Sequence, residues 1–386
     1  MQVKNILSLA LASVAFAQDG GQPSLTAALA SQNSSLSTLA SILSSQPGLV
    51  QALSQAQNIT ILAPDNKALE AFIASAGSAA SDAGVVAAIL QYHVLNGTYY
   101  ASKITEKPQF IPTLLQNETY TNVTGGQRVE AQTVDGKVTF YSALREASTV
   151  TSGNVNFTSG TIHIIDKVLT VPLGIADTLR AADLTAALGA VQEAGVAGAL
   201  SSVKDLTIFV PNNEAFRAVG NLAGSLGPEL AKILQYHAVA GSVVYSSDIT
   251  NTSLTTLNGA NITIRVIDGT VFVNDAKVVI PNVLVANGVV HVIDNLLNPN
   301  NTASTPDTSA VSRPPAYTGA GPVTDGSNPF TSGVAGPTSV APIATGGANN
   351  SGGVQSTSTS VEAAPMRTAA VGAAALFGGI AAYMNV

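Results

Sequence analysis

The sequence predicts an α+β chain built from two tandem copies of one domain, followed by a disordered stalk rich in Ser, Thr, Pro and Gly. Three repeated stretches carry that prediction. The first is an apolar, β-branched run, Gly160-Thr-Ile-His-Ile-Ile-Asp-Lys-Val-Leu169, which recurs as Gly288-Val-Val-His-Val-Ile-Asp-Asn-Leu-Leu297. It has no polar face, so it reads as a strand buried from both sides. The second is a strand that enters a helix through a proline, Thr60–Leu69 and Thr207–Phe216. The third is a helix ending in Leu90-Gln-Tyr-His93 and in Leu234-Gln-Tyr-His237. The order is kept while the offset shrinks, from 147 between Thr60 and Thr207 to 128 between His163 and His291. A repeat this long is a domain. The shrinking offset assigns extra loop residues to the first copy, mainly between Tyr99 and Val123.

Taken in order, residues 1–17 read as a signal peptide: Lys4, an apolar core from Ile6 to Val14, and the small-x-small site Ala15-Phe16-Ala17. The first domain spans 23–172. Leu36, Leu39, Ala40 and Leu43 fall on one helical face between Ser24 and Gln55. Pro47-Gly48 interrupts that helix, and Leu49, Val50 and Leu53 form the apolar face of the next. Asp65 and, in the second domain (173–299), Asn212 stand where an N-cap side chain accepts a free backbone N–H. Pro228 suits a first helical turn, ahead of the stripe Leu230, Ile233 and Leu234. Asp135-Gly136 and Asp268-Gly269, each between apolar runs, predict hairpins.

Composition sets the compartment and removes some partners. Of 386 residues, 46% are hydrophobic, 10% are charged, the net charge is −7 and cysteine is absent. No basic patch exists to attract nucleic acid. No disulfide framework, thiolate nucleophile or cysteine metal site can form. Glycosylation sequons begin at Asn33, Asn58, Asn96, Asn117, Asn122, Asn156, Asn251, Asn261, Asn300 and Asn349, in keeping with secretion. From 300 to 365 apolar periodicity vanishes, which predicts the stalk. The tail 366–386 is apolar again after Arg367. It is barely long enough to span a membrane and no Lys or Arg follows it. Small residues, a spacer and a terminal apolar run favour a lipid-anchor signal, with Asn350, Ser351, Ser356 and Ser358 as candidate attachment sites.

All four histidines, His93, His163, His237 and His291, lie in the repeats. Neither His-x-His nor His-Glu-x-x-His spacing supports a metal, so no cofactor is expected. A histidine inside an apolar strand is expected to bond a backbone carbonyl and pack. Asp166 and Asp294, three residues after each strand histidine, suit a turn or cap role. No Gly-x-Ser-x-Gly elbow accompanies them, so the chain does not read as an enzyme. Tyr92 and Tyr236 continue an apolar helix face, three positions after Ile89 and Ile233.

Together the three stretches resemble the fasciclin domain, whose segment T-x-x-A-P-x-N-x-A-F, helix-end Tyr-His pair and closing V-H-x-I-D-x-V-L run match here twice. The resemblance covers about Ser24 to Pro299. It implies a β wedge or sandwich with packed helices in each domain, and a surface or adhesion role without known chemistry. In animal members the Tyr-His pair and an Asp-Ile pair before the last strand are linked to integrin-dependent adhesion. Tyr92-His93 and Tyr236-His237 are present here. Asn154-Val155 and Asn282-Val283 replace the second pair, and with it the carboxylate that would meet a receptor's metal ion. The expected partners are other cell-surface proteins or glycans, including a second copy, and the membrane through a lipid anchor. The expected location is the cell surface or cell wall. A structural wall role, or a vacuolar protein acting in membrane traffic, stands as the alternative.

Overall fold

A computed structural model of the chain describes residues 21–302, 304–308, 314–323 and 326–336. The signal peptide, the apolar tail, Asn349 and the four candidate anchor residues lie outside the described residues.

The first domain opens with three helices, α1 (Leu25–Ser31), α2 (Asn33–Ser44) and α3 (Pro47–Gln55). Strand β1 (Ile59–Pro64) then leads into α4 (Asn66–Ala76), and α5 (Ala83–Tyr92) precedes a run of strands. These are β2 (Val94–Asn96), β3 (Gln109–Pro112), β4 (Arg128–Val134), β5 (Lys137–Tyr141), β6 (Ala147–Phe157) and β7 (Gly160–Ile165). The second domain repeats the plan with α6 (Ile175–Ala181), α7 (Thr185–Glu193), α8 (Ala197–Ser202), β8 (Leu206–Pro211), α9 (Asn213–Arg217), α10 (Ala223–Leu226) and α11 (Leu230–Tyr236). Its remaining strands are β9 (Ala238–Val239), β10 (Thr252–Thr255), β11 (Asn261–Ile267), β12 (Thr270–Val273), β13 (Ala276–Val285) and β14 (Gly288–Ile293).

Each domain has one seven-stranded sheet of identical topology: β2-β1-β7-β6-β5-β4-β3 in the first, β9-β8-β14-β13-β12-β11-β10 in the second. The ends of the first sheet meet where Leu95 bridges Thr113, which curls it into a near-barrel. In the second, the Leu257 N–H reaches the Ala238 carbonyl at 2.8 Å. The repeated strands β7 and β14 are central and pair in parallel with β1 and β8. Parallel pairs are covered on both faces, which is why these runs carry no polar side. Ile59, Ile61 and Ala63 face the layer of α1–α4, while Leu62 and Ile165 face the barrel interior with Phe140 and Tyr92.

The local signals act as expected. The Asp65 carboxylate accepts the Ala68 N–H at 2.7 Å, and the Asn212 side chain accepts that of Ala215 at 2.8 Å. Asp135-Gly136 and Asp268-Gly269 turn their hairpins with all four residues at positive φ, the conformation a two-residue turn of this hand requires.

Within the stretch expected to form the stalk, residues 314–323 and 326–336 lie against domain two. Tyr317, Ala320, Phe330 and Val334 pack on its core. Composition alone suggested no such seat, because the face that receives them is made by helices far away in the chain.

Candidate functional surface

The repeated histidines are internal posts. In each helix-end histidine, Nδ1 donates to a carbonyl one turn back: His93 to Ile89 and His237 to Ile233, both at 2.7 Å. Nε2 then accepts a backbone N–H from the segment after the last strand, Leu169 at 2.8 Å and Leu297 at 2.9 Å. The strand histidines use the opposite tautomer. His163 Nε2 donates to the Tyr99 carbonyl at 2.7 Å and His291 Nε2 to that of Val244 at 2.8 Å. Their Nδ1 atoms accept the Asn154 and Asn282 N–H groups at 3.3 and 3.4 Å. A neutral imidazole has one donor and one acceptor, and all four rings have both engaged. Burial lowers the pKa of His93, His237 and His291 to about 4, and that of His163 in the same direction. At neutral pH no ring nitrogen is left for a metal or a proton relay.

Asn154 and Asn282 sit at positive φ at bulges in β6 and β13. Asn154 Oδ1 accepts the Ala101 N–H at 3.0 Å and Asn282 Oδ1 that of Ser246 at 2.9 Å. The place of the Asp-Ile pair is thus a strand-to-loop pin; at the buried Asn282 an amide serves it by accepting from the Ser246 N–H and donating to Ser246 Oγ without a buried charge. Asp166 and Asp294 tie neighbouring strands, accepting the Thr149 and Lys277 N–H groups at 2.7 Å. Tyr92 and Tyr236 are wholly buried, with hydroxyls donating to the Arg128 and Asn261 carbonyls at 2.8 and 2.9 Å. Tyr92, His93, Tyr236, His237, His163, His291, Asn282 and Val283 are all buried in the folded chain. Asp166 is exposed but engaged with backbone.

What faces outward is different. Asn33, Asn58, Asn96, Asn117, Asn156, Asn251, Asn261 and Asn300 are exposed. Asn122 is not. Its N–H donates to Ala286 of domain two at 2.8 Å and its carbonyl accepts the Asp205 N–H. Thr124, of the same sequon, donates through its N–H to Asp205 Oδ1 at 2.7 Å. This sequon is a pin between the domains. The rest of that seam went unread in the sequence. Gln127 Nε2 donates to the Val285 carbonyl at 3.1 Å, and Phe110 stacks on Tyr245 with centroids 4.1 Å apart. The buried pair Arg145–Glu130, at 2.7 Å, also extends Arg145 Nη1 to the Pro281 carbonyl at 3.3 Å. The one available signal was the extra loop of domain one between Tyr99 and Val123, which holds Asn122 and is followed by Thr124 and Gln127.

Domain one also has an apolar cavity of about 430 Å³ between its helices, lined by residues such as Leu39, Ile42, Leu49, Leu69, Phe72 and Ile89. Among the described residues, no group of three or more His, Asp or Glu could hold a metal ion. No helix among them is long and apolar enough to cross a membrane.

The posts are placed alike in both sheets, and the chain matches the Fasciclin domain over residues 34–172 and 182–299. The chain belongs to the fasciclin domain family. It is similar to a fasciclin-like arabinogalactan protein of Arthroderma benhamiae, at 36% identity over 80% of this chain and 74% of that protein. It is also similar to the fasciclin-like arabinogalactan protein elcF of Phaeosphaeria nodorum, at 34% identity over 71% and 90%. The transforming growth factor-beta-induced protein ig-h3 of Sus scrofa is 30% identical over 66% of this chain and 35% of its own length.

Proposed function

We propose that this fasciclin pair is a secreted, N-glycosylated surface protein, held to the membrane by a C-terminal lipid anchor, that mediates adhesion to other surface proteins or glycans. The carrying observation is the outward surface: seven sequon asparagines across both domains, and Asn300 just after them, are exposed, while the repeated tyrosines and histidines are buried inside. The seam supports a further element of the reading. Backbone and side-chain bonds join the domains directly, so two similar faces are displayed at a set spacing, which favours bivalent contact. The names of the fungal relatives, arabinogalactan proteins, are in keeping with a glycan-bearing surface.

The test is attachment under flow. Surfaces coated with the glycosylated chain through Gly336 should hold cells of the source organism above a blank. Enzymatic deglycosylation should reduce that number if the sugars make the contact. A phospholipase that cuts glycosylphosphatidylinositol should release the native protein from intact cells. Attachment equal to the blank in both samples would overturn the adhesion reading; retention after lipase would overturn the anchor.

A further inference from the structure

We infer that the α7–α9 face of domain two is a peptide-docking face, and that its occupant is the chain's own segment 314–336. The seat is made of specific contacts along its described residues, 314–323 and 326–336. Near its start, Asn295 Nδ2 donates to the Pro314 carbonyl at 3.0 Å and Asn298 Nδ2 to that of Ala316 at 2.8 Å. The Tyr317 hydroxyl donates to the Leu297 carbonyl at 3.2 Å. Asn221 then grips the backbone as a strand neighbour would. Its Nδ2 donates to Gly319 O at 2.9 Å, its Oδ1 accepts the Gly321 N–H at 2.8 Å, and its own N–H reaches Gly321 O at 3.0 Å. Further on, Arg217 donates twice to Asn328 Oδ1, at 2.9 and 3.1 Å. Phe330 meets Phe216 edge to face with centroids 6.0 Å apart, a favourable aromatic geometry. Phe330 stands at φ 62, a conformation that a bulky residue keeps only where its surroundings hold it.

The face is shaped for this occupant. Gly189, inside α7, touches the Phe330 backbone so closely that a Cβ there would lie 1.6 Å from its carbonyl oxygen. Val334 lies against the same glycine, and Val323 against Gly220. Glycine in a helix interior is unfavourable relative to alanine, so its presence calls for a close approach, and the strap is that approach. The first domain lacks this seat. Asn66 bonds the Thr38 N–H as Asn213 bonds the Ala186 N–H, so Ser41 of α2 stands where Gly189 stands in α7. The recognised ligand is thus a peptide presenting Phe and Val four residues apart behind an Asn, as in Asn328, Phe330 and Val334. It comes from the same chain or, once that strap has left, from a second copy.

The experiment uses three full-length chains: wild type, Phe330→Ala and Gly189→Ala. Each is titrated with a fluorescent synthetic peptide of residues 314–336, and each is digested under native conditions. In Phe330→Ala the resident strap is weakened, and the peptide should bind. In wild type the seat is occupied, and binding should be weaker by about tenfold or more, the effect of a packed aromatic anchor. In Gly189→Ala the seat is blocked, so the peptide should not bind. Cleavage within 314–336 should rise about tenfold in both variants, as protease reads the open population. Hydrogen exchange of β8 and β14 amides must stay as in wild type, which separates strap release from unfolding. Should Phe330→Ala unfold, Gly189→Ala decides alone. Equal peptide binding to all three chains would overturn the inference. So would a Gly189→Ala chain with unchanged cleavage and a higher melting temperature, the gain a free helix takes from alanine.

Discussion

The two domains share strands, topology and internal posts, yet differ in their helical layer. In domain one α4 runs eleven residues and the helices enclose an apolar cavity, with Ile73 about half exposed beside it. In domain two α9 has five residues, and Phe216 and Val219 fill the places of Leu69 and Phe72 and are completely buried. The strap then covers that face. The comparison teaches that the closing strand and its histidine posts define the domain. The helical layer is free to vary because it meets the sheet through non-directional apolar contact.

The largest expected effect tests the link between the domains. Arg145→Ala leaves Glu130 buried without its partner and also breaks the contact to Pro281. A loss of about 3–5 kcal/mol is expected, with the two domains melting as separate transitions in calorimetry. Adding Glu130→Gln should restore part of it. A single unshifted transition would mean that the pair does not join the domains.

Acid should separate the domains next. Burial holds the pKa of His237 and His291 at about 4 in domain two, and that of His93 at about 4 in domain one. The unfolded value is about 6.5. The folded rings therefore bind fewer protons, and their contribution is complete above about pH 6.5 and shrinks as pH falls toward 4. Each such histidine should remove about 1 kcal/mol per pH unit inside that window. Domain two, with two of them at about 4, should lose stability faster, read by urea unfolding at successive pH values with domain-specific hydrogen exchange. Equal slopes would show that His163 is as strongly held as His291.

The smallest effect compares the helix-end tyrosines. The Tyr236 hydroxyl donates to Asn261 and also accepts from Asn274 Nδ2 at 2.9 Å. Tyr92 Oη has the single bond to Arg128. Tyr236→Phe should cost about 2 kcal/mol, because it also strands the buried Asn274 amide, and Tyr92→Phe about 1 kcal/mol. Chemical denaturation midpoints check the order; a reversed order would break the assignment.

The sequence by itself determined the duplication, the domain core and the local geometry. The runs 160–169 and 288–297 could only be central strands, since a segment apolar on both faces must be covered on both. Asp65, Asn212 and the two Asp-Gly turns act on backbone two or three residues away, so neighbours in sequence suffice to read them. The inward role of the histidines was legible from their apolar context. Their partners were not: Tyr99, Val244, Leu169 and Leu297 lie 47 to 76 residues away.

Only the tertiary structure decided which polar residues meet across the chain. Asn122 carries the same sequon signal as Asn117, yet one is an interdomain pin and the other is exposed. Residues 314–323 and 326–336 have the composition of a free stalk and still find a seat, because Gly189 and Gly220 leave room for Phe330, Val334 and Val323 to approach. Periodicity and capping report short-range backbone preference. A seam or a seat depends on shape complementarity between surfaces brought together from distant parts of the chain.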